Sequence, residues 1–158
     1  MNKLLCVATL LVLLFGFGMR PMNAQVYIST DKDSYLITEP VIVHVTIINP
    51  SNSSMKILKW CTPLEGIERP LFTVTRDGEP VTYLGPMVKR SAPTQTDYII
   101  LQPFERITSD VKLSDYYDLS APGNYEIVYD AASWQLYGRN KIDHLISNIL
   151  SIVVEVGG

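Results

Sequence analysis

The segment "PVIVHVTIINPS", residues 40–51, constrains the fold more than any other part of the chain because its apolar residues alternate. Successive side chains of a strand point to opposite sides, so alternation over this length predicts a β-strand with one buried face. The two predicted faces carry Val41, Val43, Val45 and Ile47 on one side and Ile42, His44, Thr46 and Ile48 on the other. Turn-forming residues follow at 49–53, where the sequon Asn52-Ser53-Ser54 also lies, and predict the end of the strand.

Similar short runs recur along the chain, separated by turn-forming residues. They are "QVYIST", "MKILKW", "DYIILQP", "ITSDVKL", "GNYEIVYDAA" and "NILSIVVEV". In "LFTVTRDGEPVTYLG", Asp77-Gly78 between two alternating runs predicts a hairpin turn. This spacing predicts an all-β fold, an immunoglobulin-like antiparallel β-sandwich of about seven to nine strands.

Helical signals are short. "LSDYYDL" predicts a single turn with Ser114 as its N-cap, and "GRNKIDHLISN" is the other short candidate.

The first 24 residues predict a secretory signal peptide. Lys3 precedes the apolar run "LLCVATLLVLLFGFG", and small residues near Ala24 place the cleavage between Ala24 and Gln25. A retained membrane anchor is the alternative, because the run is nearly long enough to span a bilayer. With cleavage, we expect one domain over 25–158, secreted or periplasmic, with no membrane association.

Charge and cysteine content exclude two classes of protein. The net charge is −3, and removal of Lys3 and Arg20 with the signal peptide makes it more negative, which argues against a nucleic-acid partner. Cys61 is the single cysteine after the signal peptide, so no internal disulfide is expected. Its apolar neighbours predict a buried core residue.

No catalytic motif is present in the sequence. His44 and His144 belong to no zinc-binding motif, and the chain has neither a G-x-S-x-G elbow nor a glycine-rich phosphate loop. His44 is predicted to be structural, and a weak metal site at His144 with Asp143 is the alternative for the second histidine. We therefore expect a protein that is not an enzyme, with no metal and no cofactor.

Aromatic residues suggest a further alternative. Tyr125 and Tyr129 share a strand face and are predicted to fill the core. A tyrosine-lined carbohydrate groove, or an exposed patch with Trp134 or Tyr137, would instead favour a carbohydrate-binding sandwich.

The segment "GPMVKRSAPTQTDY", residues 85–98, combines apolar residues with a cationic pair. Met87 and Val88 lead into Lys89-Arg90, and Pro93 follows. The segment is either a solvated connection whose charges prevent edge-to-edge association or a loop that presents a lysine.

Three long segments carry a resemblance to a known family. They are "DSYLITEPVIVHVTIINPS", "LKWCTPLEGIERPLFTVTRDGEPVTYLGPMVKRSAPTQTDYIIL" and "VKLSDYYDLSAPGNYEIVYD". The matching features are Trp60, Thr62-Pro63-Leu64-Glu65-Gly66, Phe72-x-Val74, Asp77-Gly78, Tyr83-x-Gly85, Lys89-Arg90, Pro93, Asp97-Tyr98, Asp115-x-Tyr117-Asp118, Gly123-x-Tyr125 and Ser147-Asn148. Over about residues 28–155 they resemble the amino-terminal pro-domain of deuterolysin-like peptidyl-Lys metalloendopeptidases, secreted zinc proteases of fungi and bacteria.

The resemblance implies a partner and a mode of binding. The family's H-E-x-x-H catalytic domain is not in this chain, so we expect a free-standing module or a truncated protease. As an inhibitor or chaperone of a secreted deuterolysin-like zinc protease, which cleaves at lysine, it would place Lys89 in the specificity pocket. Arg90, Met87 and Pro93 would shape the loop. A generic immunoglobulin-like envelope module, structural or adhesive, is the alternative.

Overall fold

The computed structural model describes residues 22–158, and nearly all of its regular structure is β. The predicted signal peptide, 1–24, lies outside the described residues except for its last three. The strands are β1 (Gln25–Ser29), β2 (Ser34–Leu36), β3 (Ile42–Ile48), β4 (Met55–Leu58), β5 (Phe72–Arg76), β6 (Glu79–Pro80), β7 (Tyr98–Leu101), β8 (Arg106–Lys112), β9 (Gly123–Trp134) and β10 (Ile142–Glu155). Short 3₁₀ helices span Lys59–Cys61, Gln95–Asp97 and Leu113–Asp115.

The strands form three sheets, in the orders β1-β3-β8, β2-β10-β9-β5-β6 and β4-β7. Neighbouring strands pair antiparallel, except that β2 runs parallel to β10. The predicted all-β, mainly antiparallel fold is therefore confirmed. The described residues form ten strands and not the seven to nine expected, because the three-residue strand β2 was not recognised in the sequence. The immunoglobulin-like arrangement stays a prediction.

The local patterns that were most regular in the sequence fold as expected. In β3, Val43, Val45 and Ile47 are buried and the alternate side chains are half-buried. At the β5–β6 hairpin, Asp77 and Gly78 have φ angles of 49° and 87°, the positive values that a tight hairpin turn requires.

Three local expectations were wrong. Ser114 is not an N-cap, because the helix Leu113–Asp115 begins after Lys112 and contains Ser114. "GRNKIDHLISN" forms no helix, since residues 139–141 lie in a turn and a strand follows them. The last strand therefore begins at Ile142, several residues before the predicted one.

A β-bulge interrupts β10 and breaks the alternation by which the strand could be recognised in the sequence. Pairing with β9 shifts between Ile146 and Ile149, and the side chains of the two residues in between bond neighbouring strands. Ser147 Oγ accepts from the Tyr129 amide at 2.9 Å, and the Asn148 side chain bonds both backbone groups of Ile28 in β1, at 2.9 and 3.0 Å. The bulge thereby connects two sheets.

The core lies between the sheets and is completed by tyrosines and the cysteine. Tyr125, Tyr129 and Cys61 are fully buried, as predicted. The Tyr129 hydroxyl donates to the Cys61 carbonyl at 2.5 Å, and the Tyr129 ring meets Phe72 edge-on with 5.1 Å between centroids. Among the residues described, no helix is long and apolar enough to cross a membrane.

Candidate functional site

Residues 86–94, which we call the Lys89 loop, have no regular secondary structure and form the second part of the connection from β6 to the helix Gln95–Asp97. The entry to the loop is fixed by Tyr83, whose hydroxyl donates to the Pro86 carbonyl at 3.0 Å. A side chain at Gly85 would overlap the Tyr83 ring and approach Tyr116 Cδ1 to 2.8 Å. The spacing Tyr83-x-Gly85 therefore lets the tyrosine fold back over the loop entry.

Glu68 fixes the centre of the loop at two points. Its backbone carbonyl accepts from the Val88 amide at 2.9 Å, and its carboxylate forms an ion pair with Arg90. The Arg90 guanidinium also lies over the Trp60 ring, 5.0 Å from the centroid, which is a cation–π geometry. Both neighbours of Lys89 are therefore held by the same residue.

A capping box fixes the end of the loop. The Thr94 amide and hydroxyl both donate to Asp97 Oδ2 at 2.7 Å, and the Asp97 amide bonds the Thr94 carbonyl at 3.2 Å. These hydrogen bonds from Thr94 lower the pKa of Asp97, with smaller contributions from Arg90 and Lys59. The loop thus has anchors at its entry, its centre and its end.

Lys89 differs from Arg90 in its surroundings. The Lys89 side chain is exposed, and within the part of the chain that the structure describes it makes no hydrogen bond or ion pair. Because Arg90 is occupied by Glu68 and Trp60, Lys89 is the member of this cationic pair that is available to a partner.

A groove of about 780 Å³ lies beside the loop. Met87, Arg90 and Pro93 line it from the loop, and Trp60 and Trp134 line it from the body of the protein. Three of the four site residues predicted from the sequence therefore meet in one groove; Lys89 does not line it, although both of its chain neighbours do. Met87 and Trp134 expose 74% and 57% of their surface, which is high for large apolar side chains.

The histidines are not brought into a catalytic or metal-binding arrangement. His144 faces outward, with Nδ1 3.4 Å from Asp130, whereas the neighbouring Asp143 is buried and paired with Arg139 and Lys141. The two candidate ligands therefore lie on opposite faces of β10. Over residues 22–158, no group of three or more His, Cys, Asp or Glu side chains is placed to hold a metal ion.

His44 lies half-exposed on β3 between two carboxylates. Its Nδ1 is 2.7 Å from Asp110 Oδ1, and its Nε2 is 3.0 Å from Asp31 Oδ1. Hydrogen bonds to Asp110 first, and to Asp31 second, raise the pKa of His44.

Of the two aromatic rings that the carbohydrate-binding alternative expected to be exposed, Trp134 and Tyr137, only Trp134 is exposed. Trp134 projects into solvent, but Tyr137 is only 8% exposed and its hydroxyl accepts from the Ala24 amide at 3.1 Å. Burial raises the pKa of Tyr137 to about 12. Tyr125 and Tyr129 are in the core, so no tyrosine-lined groove forms from them.

Glu68 is the site residue that the sequence interpretation missed. It lies 22 positions before Arg90, in a segment without regular structure, so no periodicity links the two. One indication of it is present in the sequence: a cationic pair beside apolar residues suggests that an acidic side chain lies nearby in the folded chain.

Comparisons with known proteins give one relative and no family model. Over 92 residues, 58% of this chain, the sequence is 40% identical to a protein from Aeromonas hydrophila named "Extracellular protease". The chain spans about a quarter of that relative, 26% of its length. No family model matches the chain. Part of this chain is related to part of an extracellular protease.

Proposed function

We propose that the protein is an exported, non-catalytic binding module of the protease pro-domain kind. Its partner is a lysine-specific zinc endopeptidase of the deuterolysin-like class, which it inhibits or helps to fold. The relationship to part of an extracellular protease supports the association with proteases. The presented lysine supports the specificity.

The observation that carries the proposal is that Lys89 is free while both of its neighbours are held. Glu68 contacts Val88 through its carbonyl and Arg90 through its carboxylate. A loop that is already ordered loses little conformational entropy on binding, so more of the interaction energy remains as affinity. The exposed ammonium of Lys89 can enter an acidic pocket without first breaking an ion pair within the protein.

The groove supplies apolar contact area beside the lysine. Met87, Pro93 and Trp134 line the groove. Large apolar side chains at the centre of an interface contribute most of the binding energy of a complex. Arg90 keeps the role expected from the sequence, which is to shape the loop. For Met87 and Pro93, which were also expected to shape the loop, we propose contact with the protease.

The test is inhibition of a lysine-specific deuterolysin-like protease cleaving a lysyl peptide, with residues 25–158, the expected mature chain, as the inhibitor. We expect concentration-dependent inhibition by the parent protein. Lys89→Ala should weaken it at least about 30-fold, the effect of losing a buried charged contact. Lys89→Arg should retain part of the affinity. Lys112→Ala, which removes another exposed lysine, is the matched control and should inhibit like the parent.

Refolding separates the inhibitor from the chaperone. A denatured protease should regain activity faster or to a higher yield with the protein present if the module assists folding. Inhibition without any effect on refolding would assign inhibition alone. If neither inhibition nor a complex is detected, the proposal is wrong and an envelope module becomes the better interpretation.

A further inference from the structure

The outer face of β9 and β10 carries four large apolar side chains that are open to solvent, with the polar pair His144 and Asp130 among them. Trp134, Ile142, Ile146 and Ile149 expose 57%, 61%, 57% and 65% of their surface, and we call these four residues the outer isoleucine face. Exposed sheet faces in soluble proteins are ordinarily polar, so a row of this kind marks an interaction surface.

The bulge in β10 creates this row. Ile146 pairs with Asp130 and Ile149 pairs with Val128, and these two partners are two residues apart on β9. They therefore lie on the same side of the sheet. Without the extra residue, Ile146 and Ile149, three positions apart, would point to opposite sides. The Ser147 side chain bonds the Tyr129 amide of β9, and the Asn148 side chain bonds Ile28 of β1. Both contacts stabilise an arrangement that exposes an additional isoleucine.

The face is continuous with the groove beside the Lys89 loop. Ile142 lies directly opposite Trp134 in the strand pairing, and Trp134 lines the groove together with Met87. A partner that covers the groove therefore meets the first residues of the outer isoleucine face without a break.

A stable protein–protein interface needs more surface than the Lys89 loop provides. A stable protein–protein interface covers about 800 Å² on each partner, roughly 20–30 residues. The Lys89 loop has nine residues, 86–94, and several of them are held against the body of the protein. In the Aeromonas hydrophila relative the matched residues are 26% of the chain, so most of that chain lies outside the matched region.

We infer that the outer isoleucine face is a second docking surface for the same protease, lying against the protease surface next to its specificity pocket. This inference rests on the proposed function and extends it. The lysine gives specificity, and the face gives the apolar area that makes the complex stable.

The test uses the dissociation constant of the complex with a lysine-specific deuterolysin-like protease, measured by titration calorimetry. The variant is Ile146→Thr with Ile149→Thr, because threonine keeps the branched side chain that strands favour and removes apolar surface. Ile100→Thr is the matched control, since Ile100 is 48% exposed on β7, in another sheet. We expect the double variant to bind at least about tenfold more weakly and the control to bind like the parent.

The outcomes separate this inference from the proposed function. If the double variant binds like the parent while Lys89→Ala binds weakly, the docking surface is wrong and the proposed function stands. If the parent binds no protease, both are wrong. Sedimentation gives a further outcome: a parent dimer that the double variant dissociates would assign the face to a second copy of this chain and overturn the inference.

Discussion

Glu68 and Arg90 form an ion pair that fixes the residue after Lys89, while the Glu68 carbonyl fixes the residue before it. One residue, Glu68, therefore holds both neighbours of the lysine, one through its side chain and one through its backbone. An exposed ion pair contributes little to global stability, about 0.2–1 kcal/mol, so the value of this one lies in ordering the loop.

Glu68→Ala should separate loop order from stability. We expect the affinity for a lysine-specific protease to fall about tenfold and the free energy of unfolding to change by less than about 1 kcal/mol. The loop should also be cleaved faster by that protease, which mass spectrometry of timed digests measures. Glu39→Ala is the control, because it removes a pair with Lys32 of similar exposure outside the loop. Equal loss of affinity in both variants would contradict the prediction.

Gly85→Ala should loosen the entry of the loop. The added methyl group would displace the Tyr83 ring, and the Pro86 carbonyl would lose its donor. We expect a several-fold loss of affinity, larger than that of Tyr83→Phe, which removes only a hydrogen bond worth about 1 kcal/mol. Calorimetry on the two variants measures the difference, and parent-like binding by Gly85→Ala would show that this anchor is dispensable.

His44 should make stability depend on pH. Asp110 and Asp31 raise its pKa above the ordinary 6.5, so protonation is favoured more in the folded state than in the unfolded one. Its contribution is therefore complete below about pH 6.5 and is lost as the pH rises through the raised pKa of the folded state.

Thermal unfolding followed from about pH 6 to about pH 8 measures this contribution. We expect the midpoint to fall with rising pH in the parent and to fall less in His44→Gln. His144→Gln is the control, since Nδ1 of His144 is 3.4 Å from Asp130, a longer contact than either of His44. If the unfolding midpoint of His44→Gln falls with rising pH as steeply as that of the parent, the prediction is wrong.

Residues before β1 should contribute to stability. The Ala24 amide donates to the Tyr137 hydroxyl, and Arg139 donates to Asn23 Oδ1 at 2.9 Å. Cleavage between Ala24 and Gln25 would remove both contacts. A chain that starts at Asn23 should therefore be more stable than one that starts at Gln25 by about 1–2 kcal/mol in urea unfolding. Tyr137→Phe should reduce that difference, and equal midpoints for the two chains would refute the prediction.

Regular alternation allowed much of the fold to be predicted. In β3 the period of two residues predicted which side chains share a face, and Asp77-Gly78 predicted a turn because positive φ angles suit few residues. The start of β10 could not be predicted in this way. Its bulge places Ile146 and Ile149 on one face with a spacing of three, a spacing typical of a helix rather than of a strand.

The candidate site was only partly predictable. Four loop residues were predicted from the family resemblance and from the cationic pair beside apolar residues, and they stay a prediction. Glu68 lies far from Arg90 in the sequence, and the two meet only in the folded chain. Trp134 and Tyr137 have similar polar neighbours, yet one is exposed and the other is buried against Ala24. Neighbours in the sequence do not reveal which ring the tertiary structure covers.

Complete burial of Cys61 gives the protein a reporter of its own opening. Cys61 is the single cysteine among the described residues, and desolvation raises the pKa of its thiol. A thiol reagent needs an accessible thiolate, so it should react only with molecules in which the core has transiently opened. The rate at which Cys61 is labelled then measures how often the core opens. If a protease bound at the Lys89 loop slows this labelling, binding at the loop stabilises the core as far as Cys61.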